Sequence, residues 1–170
     1  MSKTIRLAAP LQYESIADGP GFRIVLWTQG CRMKCPGCHN PQTHDVQGGQ
    51  EYYIEDIKLG LKGNCKHHDG ITLSGGDPFL QPQECYEIAE YAKYTLGLDV
   101  WAYCGQTYEQ LMEDPDKRKL LEICDYLVDG PFILEQADKR LQFRGSANQR
   151  IINVQETLSQ GEIVLYDNGR

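Results

Sequence analysis

The sequence predicts an α/β fold built around a mostly parallel sheet. Two observations over its 170 residues lead to this fold class. Short apolar runs with the character of buried strands alternate with helical patterns, as they do in βαβ units. Each predicted strand also runs directly into a turn that contains glycine, and these turns read QGC, SGGDP, CGQT and DGPF. Because ligands bind at the carboxyl ends of parallel strands, we expect the four turns to meet at one site.

The hydrophobic pattern places the elements along the chain. Strands are predicted at 22–27, 71–73, 100–103 and 126–128, and helices at 53–62, 82–97 and 116–124. Residues 42–52 and 63–70 are polar and are expected to form loops. Thr107, followed three residues later by Gln110, predicts a capped start for a further short helix. Residues 154–170 alternate enough to predict a pair of strands around Gly161.

Composition and charge limit the classes of function. Asp and Glu number 24 against 17 Lys and Arg, so the net charge is −7. This balance argues against nucleic acid or an anionic membrane as the main partner. No apolar run reaches membrane-spanning length, so a cytoplasmic location is expected. The cysteine count is odd, at seven, and three of the cysteines are clustered, which favours metal binding over a secreted disulfide framework.

Residues 28–41, which we call the cysteine loop, read TQGCRMKCPGCHNP and contain Cys31, Cys35 and Cys38. Glycine and proline interrupt this segment as they do in loops. Three thiols on one loop are typical of a metal site, and two kinds of site remain open. One is structural zinc with His39 as the fourth ligand. The other is a four-iron, four-sulfur cluster held by three thiolates, which leaves one iron free for a small molecule. Three cysteines without a metal are the less favoured alternative.

Five segments resemble a known family. The Cys-x3-Cys-x2-Cys spacing at the end of a strand resembles the signature of radical S-adenosylmethionine enzymes, and SGGD at 74–77 is similar to their Gly-Gly-Glu/Asp motif. DGPGFR at 18–23 resembles the N-terminal motif of glycyl-radical-enzyme activases. LVDGPF at 127–132 and FRGSANQRIINV at 143–154 resemble one branch of these activases, the anaerobic ribonucleoside-triphosphate reductase-activating proteins. The segments occur in the family's order.

The resemblance implies a single radical S-adenosylmethionine domain over residues 1–170, folded as an incomplete, open (β/α) barrel. Cys31, Cys35 and Cys38 would hold a [4Fe-4S] cluster, and S-adenosylmethionine would bind its fourth iron. Gly75 and Gly76 would let the backbone approach the methionyl end of that ligand. The implied contacts with S-adenosylmethionine are Gly37, Cys38, His39, Ser74, Gly75, Gly76 and Asp77. Among them, Asp77 would accept a hydrogen bond from the ligand's ammonium group. No side chain is expected to act as a catalytic acid or base.

The implied function is that of an oxidoreductase that activates the anaerobic (class III) ribonucleotide reductase. Reductive cleavage of S-adenosylmethionine would give a 5′-deoxyadenosyl radical, which abstracts hydrogen from a glycine of the reductase. The implied partners are the catalytic subunit of that reductase and a flavodoxin- or ferredoxin-type electron donor. Two other functions stay open. One is activation of another glycyl-radical enzyme, such as pyruvate formate-lyase, and the other is a zinc-stabilised binding module without enzymatic activity.

The remaining cysteines have simpler interpretations. Cys85 and Cys124 lie on apolar helical stripes and are expected in the core. Cys104 stands where relatives usually carry Thr, and a small buried side chain is the preferred interpretation. Cys65, with His67 and His68, resembles a second metal cluster in sequence, although a solvated loop is preferred.

Two arginines near the C-terminal strand, Arg144 and Arg150, have two interpretations that the sequence does not separate. They would either contact the partner or the ligand carboxylate, or lie on a solvated edge. His44 stands where relatives commonly carry Trp.

Overall fold

Residues 3–167, the part of the chain that the computed structural model describes, form one eight-stranded sheet. The strands are β1 (Thr4–Leu7), β2 (Gln12–Ser15), β3 (Arg23–Thr28), β4 (Gln50–Tyr53), β5 (Gly70–Gly75), β6 (Asp99–Tyr103), β7 (Tyr126–Asp129) and β8 (Arg150–Asn153). Their order is β4-β1-β3-β5-β6-β7-β8, and β2 pairs with β3 off this path. The four central strands, β3, β5, β6 and β7, are parallel, whereas the flanking pairs are antiparallel. The predicted α/β class with a parallel centre is confirmed, and the open barrel stays a prediction.

Helices precede the parallel strands β5, β6 and β7, as predicted, and one further helix follows β8. They are α1 (Ile54–Asn64), α2 (Pro82–Glu90), α3 (Tyr108–Met112), α4 (Pro115–Ile123) and α5 (Val154–Gln160). A π-helical turn, Tyr91–Thr95, extends α2 to nearly the predicted length. The capping box that Thr107 and Gln110 predicted is present at the start of α3. Within residues 3–167, no helix is long and apolar enough to cross a bilayer.

The hydrophobic core lies between the sheet and the helices. On β3, Ile24 and Leu26 belong to this core, and they alternate with residues that face the other side of the sheet. Cys85 and Cys124 are fully buried in the same core, which confirms their predicted role. Cys104 is also buried, as expected for a small side chain in that turn.

The prediction of paired strands at residues 154–170 is wrong, because the first part of that segment, Val154–Gln160, forms α5. The Asn153 side chain accepts a hydrogen bond from the Glu156 N–H and caps the helix. Val154 and Thr157 are buried on one face, and Gly161 ends the helix in the left-handed conformation with φ +75°. Only the following residues approach β8, through one antiparallel bridge between Ile152 and Leu165. Residues 168–170 of the prediction lie outside the described part.

Four strands, β1, β2, β4 and β8, were missing from the sequence prediction. β1 and β2 precede the first predicted strand, and β4 falls within a segment that was expected to form a loop. β4 is exposed at three of its four residues, so it carries no apolar pattern. It forms because it pairs with β1 over four residues at the edge of the sheet.

The glycine-containing turns meet at one edge, as predicted. The Asp77 N–H donates to the Gly30 carbonyl at 2.7 Å, which joins the SGGDP turn to the QGC turn. The Gly130 N–H donates to the Gln106 carbonyl at 3.2 Å, which joins DGPF to CGQT. The thiol of Cys104 lies 3.4 Å from Asp77 Oδ1 and connects the two pairs.

Candidate functional site

The cysteine loop begins where β3 ends and is held by backbone hydrogen bonds. The Gly30 N–H donates to the Thr43 carbonyl at 2.6 Å, and the Cys31 N–H donates to the His44 carbonyl at 3.2 Å. Gly30 has φ +106°, a conformation that suits glycine. Cys31, Cys35 and Cys38 are half-buried free thiols on this loop.

Backbone N–H groups point at two of the three sulfurs. Burial raises the pKa of the Cys31 thiol, and N–H donors of Met33 and Lys34 act in the opposite direction. The Asn40 N–H donates to Cys38 Sγ at 3.5 Å. Hydrogen bonds to sulfur are a feature of protein iron–sulfur sites, which are held by cysteine thiolates. This donor set therefore fits an iron–sulfur cluster.

The zinc alternative receives no support from the described residues. Between residues 3 and 167, no three His, Cys, Asp or Glu side chains converge as the ligands of a single metal ion do. The ring of His39 instead packs on Phe132, with ring centroids 5.4 Å apart.

A cavity of about 370 Å³, which we call the inner cavity, lies at the carboxyl ends of β3, β5 and β6. Its wall includes Cys38 and His39 from the cysteine loop and Ser74 and Gly75 from the SGGD turn. The structure thus brings both predicted motifs to one cavity. The other predicted ligand contacts, Gly37, Gly76 and Asp77, do not line it.

The glycines of the SGGD turn are required by chain packing. A Cβ on Gly75 would lie 2.4 Å from the Thr28 carbonyl oxygen, and one on Gly76 would lie 2.4 Å from the Gly30 carbonyl oxygen. Such contacts are too close for any side chain. Close approach of a ligand was the expected reason for these glycines, but the contacts that exclude a side chain come from the neighbouring turn.

Asp77 is buried behind this turn, with 4% of its surface exposed. Its Oδ1 accepts hydrogen bonds from the Phe79 N–H at 3.0 Å and from the Cys104 thiol at 3.4 Å. Burial raises the pKa of the Asp77 carboxyl, although both hydrogen bonds act to lower it. No ion pair within residues 3–167 includes Asp77. Its carboxylate is therefore buried without a direct ion pair in the described chain, and the nearby charge of Lys117 lowers its pKa less than the two hydrogen bonds do.

Comparison with known proteins agrees with this geometry. Residues 17–152 match the family described as a 4Fe-4S single cluster domain. The anaerobic ribonucleoside-triphosphate reductase-activating protein of Vibrio cholerae is 38% identical over 143 residues, which cover 80% of this chain and 90% of that protein. The protein of the same name from Escherichia coli is 36% identical over 141 residues, covering 79% and 90%. The chain belongs to this reductase-activating family.

One solved structure also shares the fold. The crystal structure of QueE from Escherichia coli superposes with a TM-score of 0.50 at 13% identity, covering 61% of this chain and 53% of that one. At this identity the likeness concerns the fold alone. The family that the sequence motifs indicated is confirmed by the relatives.

Some residues of the inner cavity were not predicted. Trp27 and Tyr103 come from the carboxyl ends of β3 and β6, and Phe132 and Phe143 come from the loop after β7. The two strand residues could have been found, because alternation along each strand points them away from the helices. The loop aromatics had no such signal. Phe143 has φ +64° and packs edge-on against Trp101.

The DGPGFR motif is fixed by its arginine. Arg23 is completely buried, and its guanidinium donates to Thr72 Oγ1 at 2.8 Å, to the Ile71 carbonyl at 2.7 Å and to the Pro20 carbonyl at 3.0 Å. It also pairs with Asp99. These bonds hold the preceding segment, which contributes to the wall of the inner cavity.

The FRGSANQR segment, whose sequence resembles one branch of the activases, is largely bound to itself and to the DGPF turn. Gln149 Oε1 accepts from the Gly145 and Ser146 N–H groups, and its Nε2 donates to the Gly130 carbonyl at 3.1 Å. Arg144 donates to two backbone carbonyls, including that of Gln149. These side chains build the loop that carries Phe143.

Arg150 also has partners within the chain. Its guanidinium pairs with Asp129, which is 1% exposed, and with Glu109 on α3. Both acids raise the pKa of Arg150, with the Asp129 hydrogen bond as the largest cause. The structure therefore gives Arg150 a role in joining β8 to β7 and α3, which neither sequence interpretation included.

The loop with Cys65, His67 and His68 is not arranged around a metal. His68 Nε2 accepts from the Glu14 N–H at 2.9 Å, and its Nδ1 lies 2.8 Å from the Asn64 carbonyl. Both ring nitrogens are thus engaged by the backbone. The segment was expected to be a solvated loop. It instead forms a 3-10 turn over Cys65–His67, and Cys65 packs partly against the core.

Proposed function

We propose that this chain activates an anaerobic ribonucleotide reductase by radical chemistry on S-adenosylmethionine. The relatives named above are activating proteins of that reductase, and the matched family has a 4Fe-4S domain. The observation that carries the proposal is the shared wall of the inner cavity, where the last cysteine of the loop and the SGGD turn meet.

The ligand set of the proposed cluster is Cys31, Cys35 and Cys38. Three thiolates leave one iron without a protein ligand. Once bound, the cluster would supply one electron to S-adenosylmethionine, whose carbon–sulfur bond breaks to give methionine and a 5′-deoxyadenosyl radical that takes hydrogen from a reductase glycine. The chain's own work is to bind, orient and exclude water.

The inner cavity suits a small ligand. Its volume of about 370 Å³ lies within the usual range for ligand pockets, which is roughly 300–1,000 Å³. Ser74 and Gly75 would contact the ligand from one side, and the His39 ring, supported by Phe132, would contact it from another. Trp27 and Tyr103 add aromatic surface that excludes water.

Asp77 lies behind the SGGD turn and would interact from there with the ammonium group of the ligand. A carboxylate buried without a cation is costly, and an ammonium group of the ligand nearby would reduce that cost. Gly37 would act on the wall indirectly, since a Cβ there would lie 2.8 Å from Leu134 Cδ1 and 3.4 Å from Phe132, so glycine allows the cysteine loop to lie close to these side chains.

The proposal is tested by anaerobic reconstitution with iron and sulfide, followed by incubation with S-adenosylmethionine, a reductant and a candidate target. Electron paramagnetic resonance should show a glycyl radical on an anaerobic ribonucleotide reductase and none on pyruvate formate-lyase. Activation of pyruvate formate-lyase alone would contradict the proposed target. A reconstituted protein that binds zinc and no iron would contradict the cluster.

A further inference from the structure

A second cavity borders the cysteine loop at Cys31. This outer cavity has a volume of about 720 Å³ and shares no lining residue with the inner cavity. Its lining residues are Cys31, Arg32, Lys34, Pro41, His44, Asp45 and Val46. The cysteine loop therefore borders two separate cavities, one at Cys38 and one at Cys31.

The outer cavity carries positive charge on an acidic protein. Arg32 and Lys34 are exposed, and no ion pair within residues 3–167 includes either of them. The acidic residue in the lining is Asp45, whose Oδ1 accepts from the Gln47 N–H. Because the whole chain has a net charge of −7, this group of unpaired cations differs from the average surface.

The local backbone fixes where these cations stand. Lys34 has φ +46°, and the N–H groups of Met33 and Lys34 are directed toward the Cys31 thiol. The backbone here thus faces the Cys31 sulfur, while the side chains of Arg32 and Lys34 are exposed to solvent.

Exposed apolar surface lies beside the charges. Met33 is 38% exposed and Val46 is 49% exposed. An apolar centre with a charged rim is the usual composition of a protein interface, and methionine adapts readily to different partners.

From these features we infer that the outer cavity and its cationic rim form the docking surface of an acidic electron-carrier protein. The inference rests on the proposed function, because that chemistry needs a one-electron reductant. In the transfer, the carrier loses one electron and the cluster gains it, passing from its oxidised to its singly reduced state, without a proton. The electron would enter at the Cys31 side, and the ligand would be bound at the Cys38 side.

Electrostatic steering gives the inference a measurable consequence. Complementary charge raises association rates by roughly 10-fold to 10³-fold, and the effect weakens as salt is added. At about 0.1 M salt the screening length is about 10 Å, so a salt titration separates steering from contact.

The test measures how fast photoreduced flavodoxin, an acidic carrier, reduces the reconstituted cluster by stopped-flow absorbance. The variant with Arg32→Glu and Lys34→Glu should show a second-order rate lower by on the order of tenfold at low salt, and the difference should narrow as salt rises. The matched control is Lys66→Glu, a charge reversal at an exposed lysine outside the lining of the outer cavity, which should react as the unaltered protein does. The conservative variant Arg32→Lys should keep the rate.

Two further measurements keep the outcome clear. Iron content, together with the resonance signal after reduction by photoexcited deazaflavin, checks that the cluster is intact. If the variant with Arg32→Glu and Lys34→Glu loses iron, the variant with Arg32→Gln and Lys34→Gln replaces it. Its second-order rate of cluster reduction should fall by a smaller factor. Equal rates in the altered and unaltered proteins at low salt, or an equal loss in Lys66→Glu, would overturn the inference. The inference would also be overturned if neither flavodoxin nor a ferredoxin reduced the reconstituted cluster of the unaltered protein.

The cluster reduction by the carrier is measured without the reductase and without any readout of glycyl radical formation. A protein that accepts electrons as described but forms no glycyl radical would refute the proposed function and leave the docking surface standing. If the protein forms the radical with a chemical reductant, but its rate of reduction by the carrier does not depend on Arg32 and Lys34, the docking surface would be refuted and the proposed function would stand.

Discussion

The thiol of Cys104 lies 3.4 Å from Oδ1 of Asp77 and joins two turns at the carboxyl edge of the sheet. Cys104 also accepts a hydrogen bond from the Gln106 N–H at 3.3 Å. Burial raises the pKa of the Cys104 thiol well above its ordinary value, so the sulfur remains protonated and donates to the carboxylate. The motif residue Asp77 is thus positioned by a cysteine on the next strand.

Asp77→Asn separates the structural role of this residue from its ligand role. Burial raises the Asp77 pKa, so the folded protein holds a proton there more readily than the unfolded chain. The charge therefore costs stability above the folded pKa, and the cost disappears below the unfolded pKa of about 3.9. Asparagine keeps the acceptor without the charge, and the cluster-free variant should unfold at equal or higher urea concentration at pH 7.

The same variant should bind S-adenosylmethionine less tightly. Loss of a charge-assisted hydrogen bond is worth about 1.5–3 kcal/mol, which is roughly tenfold to a hundredfold in affinity. Equilibrium binding to the reconstituted protein measures this change, with iron content as the control. Unchanged affinity would restrict Asp77 to capping the turn.

Cys104→Ala should destabilise the cluster-free protein by about 1–3 kcal/mol, because a buried carboxylate loses a donor. Cys104→Ser retains a donor of similar size and should recover much of that loss. Urea unfolding at pH 7 compares the two variants. Equal stability of the serine and alanine variants would show that the thiol acts through packing alone.

Each of Cys31, Cys35 and Cys38 should be indispensable for the cluster. Alanine at any one of them should abolish both the absorbance of the reconstituted cluster and the cleavage of S-adenosylmethionine. The reason is that these three thiolates are the complete protein ligand set proposed. Cys65→Ala is the matched control, since Cys65 is a partly exposed free thiol in the 3-10 turn that follows α1. If Cys65 or Cys104 proved necessary for assembly, the three-ligand set would be wrong.

Arg150→Met should lower the free energy of unfolding by about 1–3 kcal/mol, because it leaves the buried Asp129 with fewer partners. Arg140→Met is the control. It removes an exposed arginine bonded to Asp138, and ion pairs that face solvent contribute little to stability. A similar, small effect from both substitutions would contradict the structural role of Arg150.

The sequence predicted what is encoded by contiguous residues and periodic patterns. The central strands, α1 to α4 and the meeting of the cysteine loop with the SGGD turn could be predicted because each depends on local spacing and on strand direction. α5 was missed although a signal was present: Asn153, with Glu156 three residues later, is a typical helix start, and Gly161 is a typical end.

Other features depend on contacts between distant segments and had no local pattern. The position of Phe143 depends on a loop held by Gln149, and that carboxamide could equally have faced solvent. The pairing of Arg150 with Asp129 depends on the register between β7 and β8, which the sequence alone did not fix.

The central claim is that hydrogen moves from a reductase glycine to a radical generated in the inner cavity. The most direct test uses an anaerobic ribonucleotide reductase labelled with glycine deuterated at its α-carbon. After reaction with the reconstituted protein and S-adenosylmethionine, mass spectrometry should find deuterium in 5′-deoxyadenosine in proportion to the glycyl radical formed. Unlabelled 5′-deoxyadenosine accompanied by a full glycyl radical signal would contradict the claim.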